Sequence, residues 1–300
     1  MLKKVLKGGG ILLGALLVLA LLGVMALFVL SEERLNRVYS IPASGLEIPE
    51  RPAAVERGRV LVETRGFCTD CHGENLSGQA FDDGWLVGRV SIRNLTRGEG
   101  GLPEDYSDED WVRAIRHGVG RDGKPLLDMP SNFYYEFSDE DLGAVIAYLK
   151  GLPPVDKVVP KERLGLLARV FILTTPSLLP ANLIDHQAPR PPAPEPGVNA
   201  AYGEYLATTC KFCHGADLAG RDAPGAGLNL TPGGNLGHWT ESGFIQAIRI
   251  GVTPDGEELN QELMPWDKIA GMSDDELKAI WLYLRTLAPV AQPVSMDSGR

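Results

Sequence analysis

The sequence predicts an all-α protein in which an N-terminal transmembrane helix precedes two tandem domains of one kind. Three observations carry that reading: an unbroken apolar run near the N-terminus, a repeat that sets the same residues in the same order in both halves, and apolar positions spaced at helical intervals. The composition, 44% apolar and 23% charged over 300 residues, is that of a folded chain of about two domains. A net charge of −10 and a pI near 5.1 leave no basic footprint for nucleic acid, which is not expected as a partner.

Residues 1–10 form a short leader with Lys3, Lys4 and Lys7, and residues 11–30, ILLGALLVLALLGVMALFVL, follow as an apolar run of 20 residues. At about 1.5 Å per residue this run spans a hydrocarbon core of about 30 Å. A secretory signal has a shorter apolar part and ends on small residues, whereas this run ends Leu27-Phe28-Val29-Leu30 before Ser31-Glu32-Glu33. The segment therefore reads as a retained anchor. Lysines before it and glutamates after it put the N-terminus in the cytoplasm and residues 31–300 on the periplasmic face of a cytoplasmic membrane, so lipid is one expected partner. Residues 31–54 are the lead-in to the first domain.

The repeat sets the boundaries. Cys68-Thr-Asp-Cys71-His72-Gly73, Asn94-Leu-Thr96, Trp111-Val-Arg-Ala-Ile115-Arg-His-Gly118, Met129-Pro130 and Ser138-Asp-Glu-Asp-Leu142 recur as Cys210-Lys-Phe-Cys213-His214-Gly215, Asn229-Leu-Thr231, Phe244-Ile-Gln-Ala-Ile248-Arg-Ile-Gly251, Met264-Pro265 and Ser273-Asp-Asp-Glu-Leu277. The Asn, Met, Ser and terminal Tyr members (Tyr148, Tyr283) all stand 135 residues apart. Two homologous domains are expected at 55–154 and 200–289, with a tail at 290–300.

Short helices are expected at 56–64 and 202–208, with Gly58 and Gly203 where another helix comes close. Ser138 with Asp141, and Ser273 with Glu276, read as capping boxes. The helices they open bury Leu142, Val145, Ile146 and Leu149, and Leu277, Ile280, Trp281 and Leu284. No run of period-2 alternation is long enough to predict a sheet. Between the domains, 155–199 contains an apolar stretch at 164–173, too short to cross a bilayer, that reads as a helix packed on a domain or as an interfacial or docking segment. The stretch 189–197, PRPPAPEPG, reads as a stiff extended spacer.

All four cysteines fall in the two Cys-x-x-Cys-His pentads. Two thiols one helical turn apart can add to the two vinyl groups of a haem while the following imidazole meets the iron. Zinc needs four clustered protein ligands, and a dithiol redox pair needs neither the adjacent His nor this helical setting. The expected cofactors are two covalently bound haem c groups with their iron, held by Cys68, Cys71 and His72 and by Cys210, Cys213 and His214.

On these residues both repeats resemble class I c-type cytochrome domains, and the chain is similar to membrane-anchored dihaem cytochromes c. The likeness is closest to cytochrome subunits of bacterial membrane-bound alcohol and sugar-acid dehydrogenases, which commonly carry three haems where this chain has sites for two. Of six methionines, only Met129 is available to the first haem; the repeat pairs it with Met264, while Met272 aligns with Phe137 as a packing residue. The expected iron ligands are His72 with Met129 and His214 with Met264. Asn94 and Asn229 resemble residues of the haem-edge loop, where an amide binds a propionate or lies near the axial sulfur; a plain turn Asn is the other reading. Arg116 and Arg249 are open between propionate partners and solvated helix ends, and His117, His186 and His238 read as surface residues.

With both axial positions filled by protein, no iron site is open to substrate. The resulting expectation is an electron-transfer protein, not a stand-alone enzyme, that works between a membrane dehydrogenase or quinol-oxidising complex and a respiratory acceptor. The alternatives are a dihaem peroxidase-type enzyme, which would need an iron whose sixth position opens, and a structural haem subunit of a respiratory complex.

Overall fold

In the computed structural model, which describes residues 2–188, 192–220 and 227–291, helix follows helix. Helix α1 (Leu2–Leu35) runs beyond the apolar stretch at both ends, because Glu, Arg, Leu and Lys are good helix formers and no Gly or Pro interrupts residues 31–35. The lead-in then lies along the first repeat. The Tyr39 N–H donates to the Gly123 carbonyl, and the N–H groups of Ser44 and Gly45 donate to the Glu109 carboxylate.

The two repeats are built alike. Helix α2 (Pro52–Thr64) leads to α3 (Cys68–His72), and α5 (Asp108–His117), α6 (Ser131–Tyr134) and α7 (Asp139–Lys150) complete the first repeat once α4 (Gly84–Val87) has intervened. In the second, α9 (Ala200–Leu206), α10 (Lys211–His214), α11 (Glu241–Ile250), α12 (Trp266–Ile269) and α13 (Asp274–Thr286) follow in the same order. The two close helix crossings are α2 on α7 and α9 on α13. At Gly58 a Cβ would stand 1.9 Å from the Ala144 carbonyl oxygen, and at Gly203 1.8 Å from that of Ala279, so only glycine permits either approach. Leu61, Leu142 and Ile146 fill one core and Leu206, Leu277 and Ile280 the other.

Ser273 and Glu276 form the expected reciprocal capping box, but at Ser138 only half of it exists. The Ser138 side chain accepts from the Asp141 N–H, whereas the Ser138 N–H donates to the Tyr205 hydroxyl, 3.0 Å away. The Asp141 carboxylate is engaged instead by Arg57 and Arg65 of its own repeat and by the Tyr205 hydroxyl of the other.

The expectation of no sheet needs correcting. Strands β1 (Gln79–Asp82) and β2 (Gly88–Ile92) pair antiparallel on either side of α4, and β3 (Arg163–Leu164) adds to β2. These strands have 4, 5 and 2 residues and lie largely at the surface, so neither face needs an alternating pattern. The apolar stretch at 164–173 forms α8 (Leu166–Thr174), which packs on the last turns of α1 and on α4. Two 3₁₀ turns, Pro176–Leu178 and Pro180–Leu183, continue across the first repeat. Of the proline-rich spacer, 189–191 lie outside the described residues, as do 292–300 of the tail.

The repeats meet around a pseudo-two-fold arrangement. Arg57 donates from Nε to Asp141 (3.1 Å) and from Nη1 to Glu276 (2.6 Å), which are equivalent positions 135 apart. Arg65, almost fully buried, donates to Asp141 and to the Tyr205 carbonyl with its guanidinium between the rings of Phe137 and Tyr205. Away from this node, Phe133 meets Phe212 edge to face at 5.2 Å, and Lys268 pairs with Asp70 and lies 3.2 Å from the Thr69 hydroxyl. Phe133 and Lys268 are again repeat equivalents, as are Asp70 and Phe212 inside the two Cys-x-x-Cys turns. One contact type is therefore made twice, aromatic on one side and ionic on the other.

Burial alone would raise the Asp141 and Glu276 carboxyls, but the charge and hydrogen bonds of Arg57 outweigh it and hold both below their ordinary values. With folded values depressed, their contribution to stability is complete above the unfolded values near pH 4 and is lost as pH falls through the folded ones. Arg57→Met should lower stability by about 2–3 kcal/mol at pH 7. In a thermal-melt series that difference should shrink as pH falls below about 4. A variant melting like the parent at pH 7 would show that the node does not couple the repeats.

Candidate functional site

Helix α3 opens after Phe67, whose left-handed φ of 47° turns the chain out of α2 and starts the single turn that carries Cys68 and Cys71 on to His72. Neither pair of cysteines forms a disulfide. Burial pushes the Cys68 thiol up to about 12 and that of Cys210 up to about 11. Among the described residues no three His, Cys, Asp or Glu side chains converge as a metal cage.

His72 and His214 are held the same way. Both are buried, and Nδ1 of His72 lies 2.9 Å from the Arg93 carbonyl while Nδ1 of His214 lies 2.6 Å from that of Leu228. Arg93 and Leu228 are equivalent positions, each just before Asn-Leu-Thr. A Nδ1–H donated to a carbonyl fixes the tautomer with Nε2 as the lone-pair nitrogen, which is how an axial imidazole is oriented. Burial lowers the His72 imidazole against the opposing carbonyl, which favours that neutral form. At Gly227 a Cβ would stand 2.5 Å from His214 Nδ1, so glycine is required for the ring to lie where it does.

Cys68, Cys71, His72 and Met129 line one cavity of about 760 Å³ in the first repeat. Its walls are mainly apolar, with Leu95, Ile115, Tyr134, Phe137, Val145 and Leu149. Among the polar groups, the buried Trp111 Nε1–H lines the same cavity and has no hydrogen-bond partner, and cations such as Arg93 and Arg121 share the walls with carboxylates such as Asp122 and Asp128. A largely apolar cavity that holds an imidazole, a thioether, two thiols and an orphaned donor fits a flat macrocycle attached through the cysteines. Asp128, with φ of 57°, sets the turn into Met129 and is tied by its N–H to the Leu178 carbonyl.

In the second repeat Cys213 and His214 lie on α10 with Cys210 as its first cap, and Met264 packs partly buried against the core. Met272 is buried in that core, as its alignment with Phe137 implies. Residues 221–226 lie outside the described residues.

Asn94 and Asn229 stand in matching turns. Each amide oxygen accepts from the N–H and hydroxyl of the following Thr96 or Thr231, and each amide nitrogen donates to a carbonyl 61 residues on, Val155 or Val290. This is the turn arrangement, and it immobilises the residue whose carbonyl orients the histidine. Arg116 pairs with Asp139 and Arg249 with Asp274, tying α5 to α7 and α11 to α13 at the helix ends. His117 is not a surface residue: it is buried, with Nδ1 3.0 Å from Nδ1 of His186, whereas His238 is exposed beside Asp255. Sequence reasoning assigned no site role to Trp111 or Gly227. Trp111 was visible only as the large aromatic that opens Trp-Val-Arg-Ala-Ile where the second repeat has Phe244.

The family model of cytochrome c matches residues 55–153 and again 200–288, and the chain belongs to that family. It is similar to the gluconate 2-dehydrogenase cytochrome c subunit of Pantoea cypripedii, 30% identical, over 78% of this chain and 60% of that protein. It is also similar to the fructose dehydrogenase cytochrome subunit of Gluconobacter japonicus, 25% identical over 83% of this chain and 54% of that one. A diheme cytochrome c-type protein of Cereibacter sphaeroides is 33% identical over 34% of this chain and 36% of its own. The chain thus spans little more than half the length of the dehydrogenase subunits it matches. As a cytochrome c with two such sites, it carries two covalently bound haem c groups and is an electron-transfer protein.

Gly227→Ala should push the His214 ring away from its bond to the Leu228 carbonyl and leave the first site intact. Electron paramagnetic resonance of the oxidised protein should then show about half the iron leaving its low-spin signal, because a displaced imidazole weakens the axial field. Unchanged low-spin signals for both irons would mean that Gly227 does not set the ring.

Proposed function

We propose that this cytochrome relays single electrons on the extracytoplasmic side of a cytoplasmic membrane, from a membrane dehydrogenase or quinol-oxidising complex to a respiratory acceptor, and keeps its N-terminal helix as an anchor. The observation that carries the proposal is His72 and Met129 lining one cavity, with the repeat supplying His214 and Met264 in the same roles. Haem iron held between imidazole and thioether supplies a one-electron couple, which the thioether makes more oxidising. His72 and His214 would supply the oriented imidazoles and Met129 and Met264 the sulfurs, so that the protein itself would fill the iron's ligand positions. Asn94 and Asn229 act as positioning residues through the turns they close.

The relatives named for gluconate and fructose dehydrogenases support a dehydrogenase as donor. The net charge of −10 favours a basic docking patch on a redox partner. The repeat interface supports internal transfer, since Asp70 and Phe212, inside the two haem-bearing turns, each contact the opposite repeat. Retention of α1 is supported by the connector. Arg169 is buried, and its guanidinium bonds Ser31 (2.8 Å) and Glu32 (2.8 Å) and covers the Phe28 ring, while Arg34 donates to the carbonyls of Ile172 and Leu173. Loss of the segment as a signal would strip a buried cation of these partners.

The oxidised protein should show the near-infrared charge-transfer band of sulfur-ligated iron. Met129→Ala and Met264→Ala should each remove about half of it and Met272→Ala none; loss of the band in Met272→Ala would reassign the second ligand. Carbonate washing should leave the chain in the membrane fraction, and its release into the wash would overturn the anchor.

A further inference from the structure

Helix α8 is apolar on the side that faces away from the protein. Ala168, Arg169 and Ile172 are buried, yet Leu167, Val170 and Phe171, at helical spacing on the opposite face, are all exposed, Phe171 by 47%. A surface helix ordinarily carries polar residues there. Beside it stands α4, held to its first turn by the Gly165 N–H donating to the Val87 carbonyl, with Trp85 75% exposed and Leu86 40%. An outward Trp on this scale, next to an apolar helix face, is the composition of a membrane-interface belt.

The position of the patch points to what covers it. Arg169 and Arg34 fasten α8 alongside residues 28–34 of α1. If residues 11–30 fill a hydrocarbon core of about 30 Å, these residues stand at its outer boundary and α8 lies at headgroup depth. At nine residues it is too short to cross, and its entry carries exposed charges at headgroup depth, Lys161, Glu162 and Arg163, the last 3.8 Å from Asp82.

We infer that α8, with Trp85 and Leu86, is a second membrane contact, an interfacial helix that seats the first haem domain on the outer leaflet. The inference rests on α1 being the anchor. A single spanning helix leaves the domain free to tilt about its tether; a second contact beside it fixes which face of the domain meets the membrane. The occupant is phospholipid, because the patch is continuous with the anchor's boundary residues.

The test uses the full chain, loaded with haem and reduced so that both irons are diamagnetic, in nanodiscs of phosphatidylcholine with a fifth phosphatidylglycerol. Spin labels are placed one at a time on Phe171→Cys, Trp85→Cys, Val18→Cys in the middle of α1, and Leu282→Cys on α13. Power saturation with oxygen and with a water-soluble nickel chelate reads depth. Labels at 171 and 85 should be several-fold more accessible to oxygen than to nickel, the label at 18 more so, and the label at 282 the reverse. Leu167→Cys replaces Phe171→Cys should that variant fail to load haem. Labels at 171 and 85 that report water while 18 reports lipid overturn the second contact and leave the anchor standing. A label at 18 that also reports water overturns the anchor itself. Labels at 171 and 85 shielded from both reagents indicate a protein occupant and overturn the lipid assignment.

Discussion

Arg57 sits between two carboxylates that the sequence places at the same point of the same helix in each repeat. Both Asp141 and Glu276 stand three residues after a capping serine, where a side chain ordinarily closes the helix N-terminus on itself. In the second repeat Glu276 does this and also receives Arg57. In the first, Asp141 faces Arg57, Arg65 and the Tyr205 hydroxyl together, and Tyr205 fills the place at the Ser138 N–H that the carboxylate would have taken. Four charges within one node, three of them buried, tolerate few alternative arrangements, since separating a pair leaves a charge without a partner in a poorly solvated place. The node therefore fixes the relation of the two repeats, and with it the approach of the two Cys-x-x-Cys turns to each other's Met-Pro helices.

The histidines depend on a second constraint that the repeats share. An imidazole becomes a reliable axial ligand only when its other nitrogen is held. Here the holding group is a main-chain carbonyl, so its position is set by backbone geometry and by the Asn-Leu-Thr turn that follows. Asn94 and Asn229 stitch that turn to the segment leaving the last helix of the repeat, through Val155 and Val290. The ring is thus referred to the end of α7 or α13 and through it to the close helix crossing at Gly58 or Gly203. A chain of short contacts links helix packing to ligand orientation, and the haem-binding turn alone does not provide it.

What could be read in the sequence follows from this division. Gly58, Gly203, the capping serines and the apolar faces of α7 and α13 were legible because each acts within a few residues of itself or recurs at a fixed offset. The short strands were not, because they run for only two to five residues, mostly half-buried or exposed, and carry no alternating face. The diversion of Asp141 was hidden for another reason: Ser138-Asp-Glu-Asp is a sound capping box locally, and only Tyr205, Arg57 and Arg65, distant in sequence, compete for its carboxylate. His117 has Ile250 as its counterpart, so the repeat gave no hint that it would be buried against His186 from the connector. The orphaned Trp111 N–H belongs to the same class, since whether a donor is satisfied depends on walls assembled from stretches distant in sequence.

The two sites, alike in their Cys-x-x-Cys-His and Met-Pro residues, differ in where the fold puts them. The hydrogen bonds made by Ser31, Glu32, Arg34, Asn36, Arg37 and Tyr39 reach Gly123, Lys124 and residues 169–182, all of them in the first repeat or the connector. Glu32, Leu35 and Asn36 also wall one side of the first cavity. The anchor end is therefore part of the first site's enclosure, while the second repeat attaches through Arg57 and the facing turns. The first site therefore lies against the end of α1, and the second meets the first across the repeat interface. Two sites that the repeat makes alike are thereby held in different surroundings, the first enclosed in part by the end of α1 and the second not. The asymmetry needs no difference between His72/Met129 and His214/Met264, because the connector that docks α1 occurs once in a chain whose other parts occur twice.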